Sequence, residues 1–409
     1  MSASDTNEKA GAAATALGLN VAKADSPATS DNSNDQQSPD QSLSNDEHVI
    51  NGSDLLERAL MFVQRFVILP DSHAGTALVL WAAHTHLMSA WDTTPRLAFL
   101  SAEPGSGKSL AMRLTALMCP LALEVSSATT ASLVRALDDP LGQPTYFIDE
   151  LDTKYGPKGS GDEDLRNFIN AGHGINGYIL RNELVNDQWY PVRKSVFAAM
   201  AMAGIGNILH ETIWTRSIVV KMGKPLPDQK AENYRRRVHS KLGEALRGEF
   251  AAWADQVREA AAGCWPTMPV SIADRDEDVW GPLIVVAELA GGPWPDLALQ
   301  AAMSAVKSAK ANRKPSLGVE LLTGIRDVFD NSNRDQISSR ELVDALLADK
   351  HAPWGSIGRR GLEPRTLAEM LGVFDIHPTP VRPNGSTGTQ VRGYRRDDFR
   401  DAWARYPRP

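Results

Sequence analysis

A chain of 409 residues, 42% hydrophobic and 23% charged, is too long for one ordinary core, which predicts two or three folded units rather than a small stapled scaffold. The net charge of -7 argues against a uniformly basic nucleic-acid coat, although it averages an acidic tail with locally basic segments. Cys119 and Cys264 lack metal-ligand spacing, no apolar run of about eighteen residues offers a membrane span, and the polar N-terminus lacks a secretory pattern, so a soluble cytoplasmic protein is expected.

Residues 1–48 are rich in Ser, Asn, Asp, Gln and Ala, with few side chains to bury, and are expected to be a disordered acidic and polar tail. In residues 49–93, Leu55, Leu56, Ala59, Phe62, Val63 and Phe66 recur at helical spacing behind a capping Ser53. A second helix is expected from about His73 to Trp91, both helices packing on the core of residues 94–224. That core alternates short apolar runs with amphipathic stretches, the pattern of a parallel sheet covered by helices. The expected strands are Arg96–Ser101, Ala122–Val125, Thr145–Asp149, Val196–Ala203 and Ser217–Met222. Residues 225–312 turn helical, near Asp228–Ala262, Arg275–Ala290 and Trp294–Lys310, which suggests a helical lid. Residues 313–409 read as three helices, Leu317–Asp330, Ser338–Ala348 and Glu363–Gly372, then a hairpin over Val381–Tyr394 turning at Asn384 to Gly388, a winged-helix-like order.

The strongest chemical signal is Ala102-Glu103-Pro104-Gly105-Ser106-Gly107-Lys108-Ser109, directly after the first expected strand and before a helix starting near Leu110. That context defines a P-loop, or Walker A, with Ala102 where the first glycine usually stands. The small residues let backbone N–H groups face phosphate oxygens at the positive end of the next helix, so Pro104, Gly105, Ser106, Gly107, Lys108, Ser109 and Leu110 are expected ATP contacts. Lys108 would reach the β and γ phosphates, and Ser109 would ligate Mg²⁺. A second run, Thr145 to Glu150, ends an apolar strand in two carboxylates, as Walker B does. Asp149 would hold the magnesium and Glu150 would polarise the attacking water. By itself an acidic pair is a solvated turn; the upstream loop selects the catalytic reading.

Asn207, after the fourth core strand, is the expected sensor 1 of an AAA+ core, with a turn-forming Asn as the alternative. Arg216, just before the last core strand, is the candidate arginine finger for a neighbouring subunit. Arg275, opening a lid helix, is preferred as sensor 2 over the run Arg235, Arg236 and Arg237, which reads as a solvated face.

Between Walker B and sensor 1, Tyr178–Val185 and Trp189–Lys194 read as a hairpin turning at Asn186-Asp187-Gln188. In the channel of a ring, Arg181, Arg193 and Lys194 would meet phosphates and Trp189 or Tyr190 would meet bases; the alternative is a hairpin folded back on its own domain. Arg359, Arg360, Arg365, Arg382, Arg392, Arg395 and Arg396 surround the third C-terminal helix and wing, a surface suited to duplex DNA but interrupted by Asp397, Asp398 and Asp401. His84 and His86, two apart on a helix, do not share a ligand, and Trp81, Trp91, Trp280 and Trp294 read as packing.

Thr94 to Ser109, Phe147 to Asp152, Asn170-Ala-Gly-His173, Thr215 to Ile218 and Tyr394 to Phe399 together resemble an uncharacterised P-loop family of actinobacteria and their phages, often fused to primase-polymerase domains. The resemblance spans about Ser53 to the C-terminus. It implies DNA replication of a phage or mobile element by a homo-oligomeric ring, a hexamer by preference, acting as replicative helicase or helicase loader with a primase or polymerase partner. A nucleotide-switched DNA- or protein-binding regulator, or an anti-invader defence ATPase, carries the same motifs.

Overall fold

The computed structural model describes residues 49–155, 162–185, 187–312, 316–357, 361–383 and 388–407. The expected tail 1–48, Asn186 of the first hairpin turn, residues 313–315 of the connector, Arg359 and Arg360, and residues 384–387 of the second turn lie outside them.

Two helices come first: α1 (Gly52–Phe66), capped by the Asn51 side chain, and α2 (Ser72–His84), capped by Asp71 and continued by a 3₁₀ turn over Thr85–Ala90. The central element is β1 (Arg96–Ser101), buried at all six positions. It is followed by α3 (Lys108–Met118), β2 (Ala122–Val125), α4 (Thr130–Ala136), β3 (Thr145–Ile148), α5 (Asp152–Tyr155) and α6 (Glu163–Ala171). A hairpin, β4 (Tyr178–Val185) and β5 (Gln188–Ser195), precedes β6 (Met200–Ile205), α7 (Glu211–Trp214) and β7 (Ser217–Met222). The sheet order is β2-β3-β6-β1-β7, every pair parallel, with Arg96 beside both Met200 and Ser217. Parallel neighbours need crossover connections, and the helices between them supply these.

Period-two alternation divides each central strand between two cores. Leu97 and Phe99 of β1, Ala201 and Ala203 of β6 and Phe147 of β3 face α1, α2 and α3. Ala98, Leu100, Met200, Met202, Tyr146 and Ile148 face α4 and α6 through Leu133, Leu165 and Phe168. The long helices α8 (Arg236–Gly263), α9 (Arg275–Ala290) and α10 (Trp294–Asn312) join the first of these cores through Phe250, Trp253, Leu283 and Ala298. The segment expected to be a lid therefore shares its apolar interior with the N-terminal helices and the sheet. α8 starts eight residues later than its periodicity suggests, because Glu232 is held against α1: its N–H donates to the Arg65 carbonyl and its carboxylate pairs with the Arg65 guanidinium at 2.6 Å.

The C-terminal residues build a third core from α11 (Leu317–Ser332), α12 (Ser339–Leu347), α13 (Pro364–Gly372) and the helix α14 (Arg400–Arg405), with Phe329, Leu342, Leu371, Tyr394 and Phe399 at its centre. Its sheet runs β8-β10-β9, antiparallel, from β8 (Gln336–Ser338), β9 (Thr379–Val381) and β10 (Val391–Arg395). β8 is an addition to the expected hairpin. Three residues long, it places Ile337 opposite Tyr394 and leads into the capping box of Ser338 and Glu341 on α12. No helix among the described residues is long and apolar enough to cross a membrane. The four tryptophans read as packing are buried.

Among the buried histidines of the described residues, three bond to backbone carbonyls. His84 donates through Nδ1 to the Trp81 carbonyl and meets the Thr94 hydroxyl at 2.9 Å; His86 donates to the Met118 carbonyl at 2.8 Å; His173 donates to the Thr94 carbonyl at 2.8 Å. Burial holds them far below the usual imidazole range, at about 3 for His84, about 4 for His86 and about 3 for His173, where the nearby Arg96 charge adds to the effect. Unfolded imidazoles take up protons below about pH 6.5, whereas these do not until far lower, so the unfolded state binds more protons across that interval. Stability is full above about pH 6.5 and lost as the pH falls toward the folded values, each ring costing roughly 2 kcal/mol by about pH 5. Urea unfolding at a series of pH values should show this decline; a flat profile between about pH 7 and 5 would contradict it.

Candidate functional site

In a parallel sheet all carboxyl ends lie along one edge, and three of the loops singled out in the sequence leave from that edge. β1 ends at Ser101 and passes through residues 102–107 to the first turn of α3. Gly105 (φ +79°) and Gly107 (φ +84°) adopt the left-handed backbone that glycine tolerates best, and Gly107 stands at the N-cap of α3 with no side-chain cap. A Cβ at Gly105 would meet nothing within 4 Å, so space is open there. Ser106 is buried, and its hydroxyl finds no partner among the described residues. Lys108 and Ser109 are half-buried at the helix start. Glu103 is paired with Lys224, just beyond β7.

β3 delivers Asp149 and Glu150 to the same edge. Asp149 Oδ1 accepts from the Glu150 N–H at 2.8 Å, and Glu150 takes a left-handed φ of +56°. β6 delivers Asn207, which is exposed. The three ends are stitched together: Gly206 N–H donates to the Ser101 carbonyl at 2.8 Å, Leu151 N–H to the Ala203 carbonyl at 2.9 Å, and Ile205 N–H to Asp152 Oδ1 at 3.0 Å. β1 and β3 are separated only by β6, which sets the loop and the acidic pair on strands about 10 Å apart. A small hollow beside the acidic pair is lined by Ser126, Ser127, Asp149, Glu150, Thr153 and Lys154; residues 102–109 take no part in it.

Arg216 and Arg275 lie elsewhere. Arg216 precedes β7, and its carbonyl accepts from the Arg96 N–H at 2.9 Å, so it sits at the amino edge, about 20 Å along β1 from the loop. Its Nη1 donates to the Thr212 carbonyl at 2.7 Å. Arg275 was expected to reach the phosphates from a lid. Instead its guanidinium donates to Thr215 Oγ1 at 3.3 Å, beside Arg216, because α9 begins at the amino edge. Burial and the Arg275 charge push the Arg216 guanidinium below its ordinary range.

The hairpin has two unlike faces. Tyr178, Leu180, Leu184 and Trp189 point outward and are 46–68% exposed, with Arg193 lying 3.6 Å over the Tyr178 ring. Ile179, Arg181 and Lys194 occupy the opposite face. Lys194 is bound to Glu183 at 2.9 Å and Asp138 at 3.0 Å, carboxylates that raise its pKa, and Arg181 Nε is buried. Of the three cations expected to meet phosphates, Arg193 is the one on the outward face; the strand period turns the other two toward the body. Tyr190 shares their parity but lies near the tip, 48% exposed. Among the C-terminal candidates, Arg365 is solvent-facing beside Glu369, Arg392 donates to the Pro378 carbonyl at 2.8 Å, and the Arg382 backbone N–H donates to Gln336 at 2.8 Å. Arg396, also among them, is paired with Asp330, and two further arginines nearby are paired too, Arg400 with Asp397 and Arg405 with Asp401.

Sequence reasoning passed over Arg96. It is wholly buried and directs three donors at two backbone carbonyls, Ile169 at 2.8 and 3.1 Å and Ala198 at 2.6 Å. Burial, then the charge of Arg216, brings it down to about 9. An arginine opening a strand whose next four residues are apolar was the available signal.

The chain is thus an α/β protein with a five-stranded parallel sheet flanked by helices. Residues 221–406 match the family described as "Protein of unknown function (DUF3631)", and the chain belongs to this family. A relative from Saccharopolyspora erythraea, an "Uncharacterized 28.9 kDa protein in xis 5'region", is 37% identical over 186 residues, covering 45% of this chain and 68% of that protein. Among solved structures, a full-length MCM homolog from Methanopyrus kandleri is 13% identical at a TM-score of 0.39, covering 67% of this chain and 63% of its own, less than two thirds of its length. The apo A form of the NrS-1 C-terminal region is 12% identical at a TM-score of 0.41, covering 84% of this chain and 75% of its own. These scores lie below those that establish a shared fold.

The hairpin stem and tip should respond differently to substitution. A Cβ at Gly177 would overlap the Ala171 carbonyl, so Gly177→Ala should lower stability by about 1–3 kcal/mol. Trp189→Ala, at an exposed position, should change it by less than about 0.5 kcal/mol. Equal effects in thermal melts would rule out this description of the stem.

Proposed function

We propose that the chain is an ATP-hydrolysing AAA+ P-loop protein acting on DNA as an oligomeric ring, in the role of a replicative helicase or helicase loader of a phage or mobile element. The observation carrying this is the convergence on one sheet edge of the 102–109 loop, the Asp149-Glu150 pair and the Gly206-Asn207 turn, on adjoining strands joined by backbone hydrogen bonds. The open space at Gly105, the unpartnered Ser106 hydroxyl and the uncapped start of α3 fit a phosphate chain better than a plain turn.

In this reading the backbone from Pro104 to Leu110 cradles the phosphates, and Lys108 balances charge on the β and γ groups. Ser109 and Asp149 would hold Mg²⁺. Among the described residues no group of three or more His, Cys, Asp or Glu is arranged for a metal, so the remaining ligands would be phosphate oxygens and water. When bound, magnesium neutralises charge developing between the phosphates. Glu150 takes the proton of the attacking water, and Asn207 orients that water. Arg216 and Arg275, together on the opposite edge, would serve a nucleotide held by the adjacent copy, which supports a ring, with six members preferred. Trp189 and Arg193 on the outward hairpin face suit stacking and phosphate contact with single-stranded DNA, and Arg365, Arg382 and Arg392 suit contact with duplex. The C-terminal residues would act as a winged-helix-like domain, with a primase or polymerase as partner.

ATP hydrolysis measured with and without single-stranded DNA at low salt tests this. Turnover should rise with DNA and fall by at least about a hundredfold in Lys108→Ala and in Glu150→Gln. Mixing Lys108→Ala with Arg216→Ala should recover activity, since some boundaries in the mixed ring would pair an intact loop with an intact arginine. Unchanged turnover in Lys108→Ala would defeat the ATPase reading; no recovery on mixing would defeat the shared site. Nucleotide-dependent DNA binding without strand displacement would favour a regulatory switch.

A further inference from the structure

Arg96 and the Asn170-Ala-Gly-His173 segment take no part in the proposed hydrolysis, yet they are bonded to both the arginine edge and the hairpin. Arg216 is held from two sides. Its carbonyl accepts from Arg96 N–H at 2.9 Å, and its guanidinium donates to the carbonyl of Thr212, whose hydroxyl accepts from Asn170 Nδ2 at 3.0 Å. The far ends of both connections lie where the hairpin joins the body. Asn170 and Ile169 close the helix α6 that leads into it, and Ala198 follows the strand that leads out. The Arg96 guanidinium bridges these, binding the Ile169 and Ala198 carbonyls at once.

The joint is tightly packed. Ala198 N–H donates to the Gly172 carbonyl at 3.2 Å and Val196 N–H to the Gly177 carbonyl at 3.1 Å. A Cβ at Gly172 would press on Arg96 Nη2 at 2.8 Å. A buried guanidinium answered only by carbonyls is a costly choice for stability alone. Its planar fork suits it to fix two chain segments at once.

Resting on the proposed function, we infer that Arg96 and Asn170, the latter through Thr212, are positioning residues that hold Arg216 and the β4–β5 hairpin as one moving part. A displacement of Arg216 by the neighbouring copy's nucleotide is thereby delivered to the hairpin. Two separate connections carry it: Arg96 reaches both legs, and Asn170 reaches the leg that leads in.

The test uses the full chain and two substitutions, Arg96→Lys and Thr212→Val. The first keeps a charge but loses the fork; the second removes the hydroxyl bonded to Asn170 while keeping the carbonyl that holds Arg216. Hydrolysis is measured with and without single-stranded DNA, and hydrogen exchange of residues 178–195 is followed with and without a slowly hydrolysed ATP analogue. In the unaltered protein the analogue should change hairpin exchange and DNA should stimulate turnover. In both variants DNA-free turnover should persist, stimulation should drop about tenfold, and the hairpin should no longer respond to the analogue. A residue that merely supports the fold would alter hairpin exchange equally with and without nucleotide. Variants stimulated as well as the parent, with the nucleotide response intact, overturn the inference alone. A parent protein that DNA does not stimulate overturns the functional reading beneath it. Should Arg96→Lys fail to fold, Thr212→Val decides by the same readouts.

Discussion

The structure depends on the register of β1 between β6 and β7. Because all three run parallel, with Arg96 level with Met200 and Ser217, every group at a strand's carboxyl end falls on one edge and every group before a strand falls on the other. The loop, acidic pair and Asn207 share the first edge; Arg216 and Arg275 share the second. No side chain spans six buried strand residues, so the two sets do not meet within one copy; in the proposed ring they would act together where one copy's amino edge meets another's carboxyl edge.

The same strand joins the two apolar cores. Its alternate residues enter opposite layers, so the N-terminal helices and α8 to α10 cover one face while α4 and α6 cover the other. The hairpin springs from the second layer. Its inner face, with Ile179 and Lys194, is tied down, and its outer face is left to solvent. Division by parity is why a hairpin with three candidate cations in its sequence offers one of them outward.

Much of the central sheet was legible. β1, β2 and β7 begin and end where their apolar runs do, since buried parallel strands bounded by turn residues leave an unambiguous pattern. In the glycine-rich loop, Gly105 and Gly107 take the positive φ that glycine adopts most readily. What could not be read was spatial. Arg275 begins a helix as expected, but only the fold reveals that the helix begins beside Arg216. β8 is too short to show a period. Arg96 looks like an ordinary strand-opening charge until its two carbonyl partners, some seventy and one hundred residues away, are brought to it.

The crowded base of the hairpin gives it the character of a lever. With no room for a side chain at Gly172 or Gly177, the legs are packed closely against the body where they leave it. Each leg is eight residues long, an arm of roughly 26 Å, so a tilt of about ten degrees at the root would sweep the tip through some 4–5 Å. The length of the ribbon alone thus makes any small change at the root larger at the tip.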